Sequence, residues 1–263
     1  MSPLVATLLL SLVVVAIATV ALWLVSLQLR DASIADPFWG TGFIFVSWTA
    51  VMYNGVTNWR AVLLAVLITI WGLRLSLFLL WRSRGHGEDS RYVAMRTHHG
   101  QRFWWVSLFT VFLLQGVLLW FVAMPIQVVA AGESGATVGM LDALGVLVWL
   151  VGLIFESVGD WQLARFKSDP GNAGKVLDSG LWRYTRHPNY FGDFCVWWGI
   201  FLIAASGGYW WTIASPLLMS FLLMKVSGVA LLEKTIVNRR PKYEDYIRRT
   251  NAFFPGLPKK QSS

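Results

Sequence analysis

The chain has 263 residues, 56% of them hydrophobic and 14% charged, with sixteen Trp and sixteen Phe. The apolar share exceeds the roughly 45–50% of soluble domains, and aromatic rings favour bilayer interfaces; this excludes a soluble globular domain and predicts an all-α polytopic membrane protein, one domain over residues 1–263. The net charge of +8 does not indicate nucleic acid, because the cations flank apolar segments, and the single cysteine, Cys195, excludes an internal disulfide and a cysteine metal cluster.

The apolar run from Pro3 to Gln28 has no basic leader and exceeds a signal-peptide core of about 7–15 residues, so it reads as a first span ending in water at Arg30 and Asp31. A crossing needs about 20 apolar residues. Seven transmembrane helices follow from that rule, at about 4–29, 37–54, 60–81, 103–126, 140–163, 190–205 and 209–231. The second and sixth are short and carry polar residues at one end. Ser206-Gly207-Gly208 makes a tight turn between the last two. No internal repeat of the inverted-transporter kind is visible.

The charges orient this map. With the N-terminus outside and the C-terminus cytoplasmic, the inner side holds 19 of the 22 Lys and Arg, Arg60 lies outside, and Arg74 and Lys225 lie within spans. That is the asymmetry of the positive-inside rule, and it requires an odd number of spans. The outer loops 55–59 and 127–139 hold almost no charge. The inner side carries the loops 82–102 and 164–189 and a basic amphipathic tail, 232–263. Cationic anchors for anionic lipid account for part of this pattern, but these segments also carry acids, tyrosines and histidines that anchoring does not need. The expected location is a bacterial inner membrane or the endoplasmic reticulum, with membrane lipids as partners and no protein partner.

Polar groups at membrane depth are costly and normally face a bundle interior or a wet cavity. In ESVGDWQLARFK, Glu156 and Asp160 are four apart and share a helix face, whereas Asp160 and Arg165 are five apart and are poor partners. Asp160 suits a ribose hydroxyl or an amide, and Arg165 and Lys167 suit phosphate. A structural ion pair is the plainer alternative. In LWRYTRHPNYFGD, Pro188 favours a helix start, so Asn189, Tyr190 and Asp193 fall in the first turns of span six, where backbone N–H groups form an anion site. Arg183, Arg186 and His187 beside it suit a phosphate or pyrophosphate; a helix cap with interfacial anchors is the alternative. No GxGxxG fingerprint is present. The four histidines are scattered, the adjacent His98 and His99 diverge, and no metal site is expected. The tail, with Arg239, Arg240, Lys242, Tyr243, Tyr246, Arg248 and Arg249 before Phe253-Phe254-Pro255, either lies on the bilayer as an interfacial helix or folds over the cytoplasmic mouth.

LWRYTRHPNYFGD, the apolar span after it and the YEDYIRRTNAFFP tail resemble the steroid 5-alpha-reductase superfamily, in particular its bacterial branch. SIADPFWGTGF at 33–43, EDSRY at 88–92, ESVGD at 156–160 and SGVALLE at 227–233 are similar as well, so the resemblance covers about residues 33–258. The RHPNY core also resembles sterol reductases and isoprenylcysteine carboxyl methyltransferases. The resemblance implies a seven-helix reductase using NADPH. It implies cofactor contacts at Asp160, Tyr184, Asn189 and Asp193 and a phosphate-binding cation at Arg165 or Lys167. Arg91, Tyr92, Arg186, His187, Arg240 and Tyr243 complete the candidate cofactor set. The animal enzymes hold the substrate carbonyl with a Gln-Glu pair in span two and a Tyr in span three. Here Asp36 and Arg74 stand nearest those places.

The expected reaction is reduction of the double bond of an enone lipid, such as a 3-oxo-4-ene steroid. Arg74 or a protonated Asp36 is the candidate donor to the ketone oxygen, and the alpha-carbon proton comes from water or a tyrosine, with Tyr53 as candidate. The alternative is an S-adenosylmethionine-dependent lipid or prenylcysteine-type methyltransferase. Against it, Glu233 is followed by Lys234 rather than a second Glu.

Overall fold

The computed structural model describes residues 1–56, 58–133, 135, 137–226 and 243–259, which are almost wholly helical and include no strand. Cα packing divides the chain into two compact units, Met1–Thr137 with Ala204–Thr212, and Val138–Ile203 with Ile213–Ser263.

In the first unit, α1 (Pro3–Leu29) starts with Pro at its first position, where the missing N–H costs nothing. It stops at Arg30, whose left-handed backbone (φ 54°) lets its N–H reach the Ser26 carbonyl. α2 (Ala35–Asn54) and α3 (Trp59–Ser83) follow. They cross so closely at Gly40 and Gly72 that a Cβ on Gly72 would lie 2.5 Å from the Gly40 carbonyl oxygen. Ser76 Oγ locks the crossing by donating to the Pro37 carbonyl (2.6 Å) and accepting from Thr41 N–H (3.0 Å). α4 (Ser90–His99), α5 (Phe103–Ser107), a π-helical turn at Leu108–Leu113 and α6 (Leu114–Val122) continue one another. The helix then breaks at Ala123. Residues 124–131, the last five of them expected to open an outer loop, form a short buried helix, α7 (Met124–Ala131), with Pro in its first turn. Arg60, the expected outer cation, is buried and donates to the carbonyls of Gly135 (2.6 Å) and Thr137 (2.7 Å).

The second unit holds α8 (Met140–Ser168), α9 (Pro188–Ser206, whose end passes into the first unit), α10 (Ala214–Phe221) with a π-helical extension at Leu222–Val226, and α11 (Tyr243–Arg249). α8 and α9 run antiparallel along a seam of glycines seven residues apart. A Cβ on Gly152 would lie 2.5 Å from the Gly192 carbonyl oxygen, and one on Gly199 would lie 2.6 Å from that of Gly145. One on Gly192 would overlap the Glu156 backbone nitrogen. Small residues permit such backbone approach between apolar helices.

Pro3–Leu29, Trp59–Ser83, the run Ser90–Val122 and Met140–Ser168 are long and apolar enough to cross a bilayer, which marks a membrane protein. Trp210–Val226 is a shorter apolar helix.

Two outcomes follow for stability. Gly192→Val, which drives a branched side chain into the Glu156 backbone, is expected to cost roughly 1–3 kcal/mol as an overpacked site, read as a lower unfolding temperature; Leu217→Ala on an exposed face of α10 leaves it unchanged. Glu88 joins the loop before α4 to the α1–α2 junction, accepting from Ala32 N–H (2.8 Å) and from Arg96 Nε (2.9 Å) and Nη2 (2.8 Å). Burial opposes its ionisation, but these donors outweigh burial and hold its pKa below the ordinary 4.5. Its contribution is therefore complete above that value and lost as pH falls through the lower folded-state value. Glu88→Gln is expected to reduce stability at pH 7 and to flatten the acid limb of a pH–stability profile.

Candidate functional site

In the second unit the glycine seam brings the buried acids of α8 to the start of α9. Asp160 Oδ1 accepts from Asn189 Nδ2 at 3.0 Å, joining two motifs 29 residues apart. A Cβ on Gly159 would lie 3.1 Å from the Asn189 backbone nitrogen, a tight contact. The Gly159 carbonyl accepts from Trp182 Nε1 (3.1 Å), and Gln162 Oε1 accepts from Leu181 N–H (3.0 Å). The end of α8 therefore templates the turn at 180–183 that leads into RHPNY. Glu156, Asp160, His187 and Asp193 are buried there, and the His187 ring stacks on Tyr190 with centroids 5.6 Å apart.

The tail completes this cluster. Tyr246 is fully buried and donates its hydroxyl to the Trp182 carbonyl. Burial pushes its pKa well above the ordinary tyrosine value, so it stays a donor at any working pH. Thr185 Oγ1 donates to the Phe253 carbonyl (2.7 Å), Arg186 N–H to Asn251 (2.9 Å), and Gly256 N–H to Tyr184 (3.1 Å). Phe253 and Phe254 pack on Phe191 and Phe194 of α9. The tail thus folds onto the 181–193 segment rather than lying apart from it.

Arg186, expected at a phosphate, is buried, and its Nη1 donates to the carbonyls of Thr250 (2.7 Å) and Ile247 (3.1 Å). A cation there satisfies acceptors that α11 leaves open at its C-terminal end. Tyr243 is buried against Tyr246; Tyr184 and Lys167 are exposed, and Arg240 lies outside the described residues. Arg165 and Asp160 are five residues apart on α8 and so project roughly 140° apart, whereas Lys167 returns to within roughly 20° of Asp160.

In the first unit the residues divide differently from their expected roles. Asp36, at the start of α2, accepts from Arg91 Nη2 (2.5 Å) and from the hydroxyl of Tyr92 (2.6 Å), two residues placed in the cofactor set. Asp89 caps α4 through Arg91 N–H (2.9 Å) and also holds Arg91 Nε (2.9 Å). Tyr92 is buried with Ala32, Ala35, Phe103, Val111 and Phe112, and Gln115 Nε2 reaches its oxygen at 3.4 Å. Arg74 lies over the Phe78 ring, 5.4 Å from its centroid. Tyr53 is exposed near the other end of α2, about 25 Å along the helix from Asp36 at 1.5 Å per residue.

Residues 22–250 match the family described as "Protein of unknown function (DUF1295)". The chain belongs to that family. It is 25% identical over 272 residues to an uncharacterised protein of Schizosaccharomyces pombe, covering 90% of this chain and 76% of that one. A probable O-methyltransferase of Ustilaginoidea virens is 39% identical over 79 residues, 30% of this chain and 26% of its own length. A nickel-cobalt-cadmium resistance protein of Alcaligenes xylosoxydans is 26% identical over 141 residues, 53% of this chain and 64% of its own length. No solved structure matches significantly.

Several residues of this DUF1295 chain that shape the site escape a reading of the sequence. Trp182 and Gln162 stand inside motifs picked out for their charges. Gln115 is a lone amide in the apolar run FLLQGV, and that isolation was its signal. The buried Arg186–carbonyl contacts have a direct test. Arg186→Leu leaves two carbonyls without their charged donor, worth about 1.5–3 kcal/mol for such bonds. It is expected to expose the segment after Tyr246 to limited proteolysis while α8 and α9 stay resistant.

Proposed function

We propose that this protein is a multi-pass, seven-span membrane reductase of the steroid 5-alpha-reductase type, with its N-terminus outside and its C-terminus in the cytoplasm, which uses NADPH to saturate the double bond of an enone lipid such as a 3-oxo-4-ene steroid. The observation that carries the reading is the Asp160–Asn189 hydrogen bond at the opening of α9. A buried carboxylate and a half-buried amide, held at a helix N-terminus, suit the hydroxyl and carboxamide groups of a dinucleotide. The residues fit such a group: Asp160 and Asn189 for its neutral polar groups, and the exposed Lys167 and Arg183 for its phosphates. Arg186 supports the tail instead. The tail holds Tyr184, Thr185 and Arg186 in place through hydrogen bonds to their backbone and side chains.

When bound, the nicotinamide supplies a hydride for the beta carbon of the enone. The chain must then stabilise negative charge on the ketone oxygen and deliver a proton to the alpha carbon. Asp36 holds the Tyr92 proton at a defined atom. The Tyr92 hydroxyl is the candidate donor for the ketone oxygen, and preorganised donors of this kind are worth about 2.7–4 kcal/mol. Arg91 pairs with Asp36 and holds it in place.

A second reading, a methyltransferase using S-adenosylmethionine, is favoured by the local 39% identity to a probable O-methyltransferase. Ligand-dependent stabilisation separates the two, because a ligand that binds only the native state raises its stability. NADPH is expected to raise the unfolding temperature, and S-adenosylmethionine is expected not to; the reverse pattern sinks the reductase. Asn189→Ala is expected to weaken NADPH binding by about tenfold. Tyr92→Phe is expected to cut steroid-enone turnover by about a hundredfold or more, with NADPH affinity unchanged.

A further inference from the structure

The last turns of α8 and the loop after them enclose a cleft of about 490 Å³ within the second unit. It lies on the Arg165 side of α8, roughly 140° around the helix from Asp160, so it is separate from the Asp160–Asn189 pair. Its lining divides by chemistry. Trp161 and Phe166 supply apolar walls, and Gln162 and Arg165 supply donors.

Arg165 is the centre of the cleft. It is exposed, and its guanidinium lies over the Trp161 ring, 5.5 Å from the centroid. Among the described residues no carboxylate or carbonyl accepts from it, so five N–H donors in a planar fork remain available. The acid of the cleft, Asp169, is turned back on its own loop: Oδ1 accepts from Gly171 N–H (2.8 Å) and Oδ2 from Asn172 Nδ2 (3.3 Å). Gln162 uses its oxygen on Leu181 N–H, which leaves its amide hydrogens as donors. The unmet chemistry is therefore that of an anion with several acceptor oxygens. A guanidinium pre-stacked on an aromatic face matches phosphate bidentately.

Depth selects the source of that phosphate. α8 is one of the four helices apolar enough to cross a bilayer, and the cleft begins where its apolar stretch gives way to Arg165 and Lys167. Trp161 is 57% exposed at that level, where tryptophans sit among lipid head groups. We propose that the cleft holds the phosphate of an anionic phospholipid, with Arg165 as the bidentate ligand, Gln162 beside it, and Trp161 and Phe166 against the glycerol and first acyl carbons. Basic pockets at the ends of membrane helices bind head groups in this way.

The test uses the full-length protein in nanodiscs of phosphatidylcholine with and without phosphatidylglycerol. Lipid retained after detergent extraction is quantified by mass spectrometry. Wild type is expected to retain phosphatidylglycerol selectively. Arg165→Gln should lower that retention about fivefold, the effect of about one cation at the membrane surface. Arg165→Lys should recover only part of it, and Arg102→Gln, an exposed cation elsewhere, should leave it unchanged. Equal retention by wild type and Arg165→Gln overturns the proposal. An equal loss in Arg102→Gln also overturns it, by reducing the effect to overall charge. Displacement of the lipid by millimolar inorganic phosphate overturns the assignment to a lipid. Because Arg165 is exposed, its replacement leaves the core intact, and because lipid is the readout, the result stands apart from any nucleotide.

Discussion

Backbone contact between α8 and α9 is the constraint on which the second unit depends. Two apolar helices in lipid gain little from the hydrophobic effect, because acyl chains are as apolar as leucine side chains. Close approach must then come from shape. Gly145, Gly152 and Gly159 on one helix and Gly192 and Gly199 on the other remove the side chains that would hold the backbones apart. Asp160 bonds Asn189 where Gly159 packs closely on the α9 entrance, and the Gly159 carbonyl fixes Trp182. A seven-residue repeat keeps one face in register over several turns. The first unit solves the same problem with a single crossing, Gly40 on Gly72, and adds a serine as a lock.

Much of this was legible in the sequence and some was not, for identifiable reasons. Hydropathy marked the helices, because a span must be long and apolar, and the segments predicted as spans are helical over most of their described residues. It misplaced the end of the fourth, because Met124–Ala131 is as apolar as a span but turns aside at Ala123 and is buried in protein. Spacing placed Asp160 and Arg165 on different faces, and it brought Asn189 to a helix start after Pro188. Spacing had no means of pairing Asp36 with Tyr92, since that contact spans 56 residues and depends on how Glu88 and Asp89 pin the loop before α4. The glycine seam is written in the sequence as a repeat of seven, but it carries no charge or polarity that would mark it as a helix contact.

Cations were the least transparent residues. A basic residue near a helix end suggests an anion, yet Arg60 and Arg186 both spend their donors on backbone carbonyls. The reason lies in carbonyl supply. Turns and short helix ends that are buried leave acceptors that water cannot reach, and an arginine can serve two at once from a distance of several bonds. Arg165 differs because an aromatic face, rather than an acceptor, holds it. The local surroundings of each guanidinium, not the count of positive charges, decide which role it takes.

The long separation between the tail and the segment it clasps bears on how the protein is made. Arg186 and Thr185 find their acceptors 61 to 68 positions later in the chain. At about 5–20 residues per second, a ribosome leaves the 181–187 segment without its partner for roughly 3–14 s. During that interval a nascent chain has its helices but not its clasp. Closure of the tail onto 184–186 is thereby deferred until after most of the polypeptide has emerged.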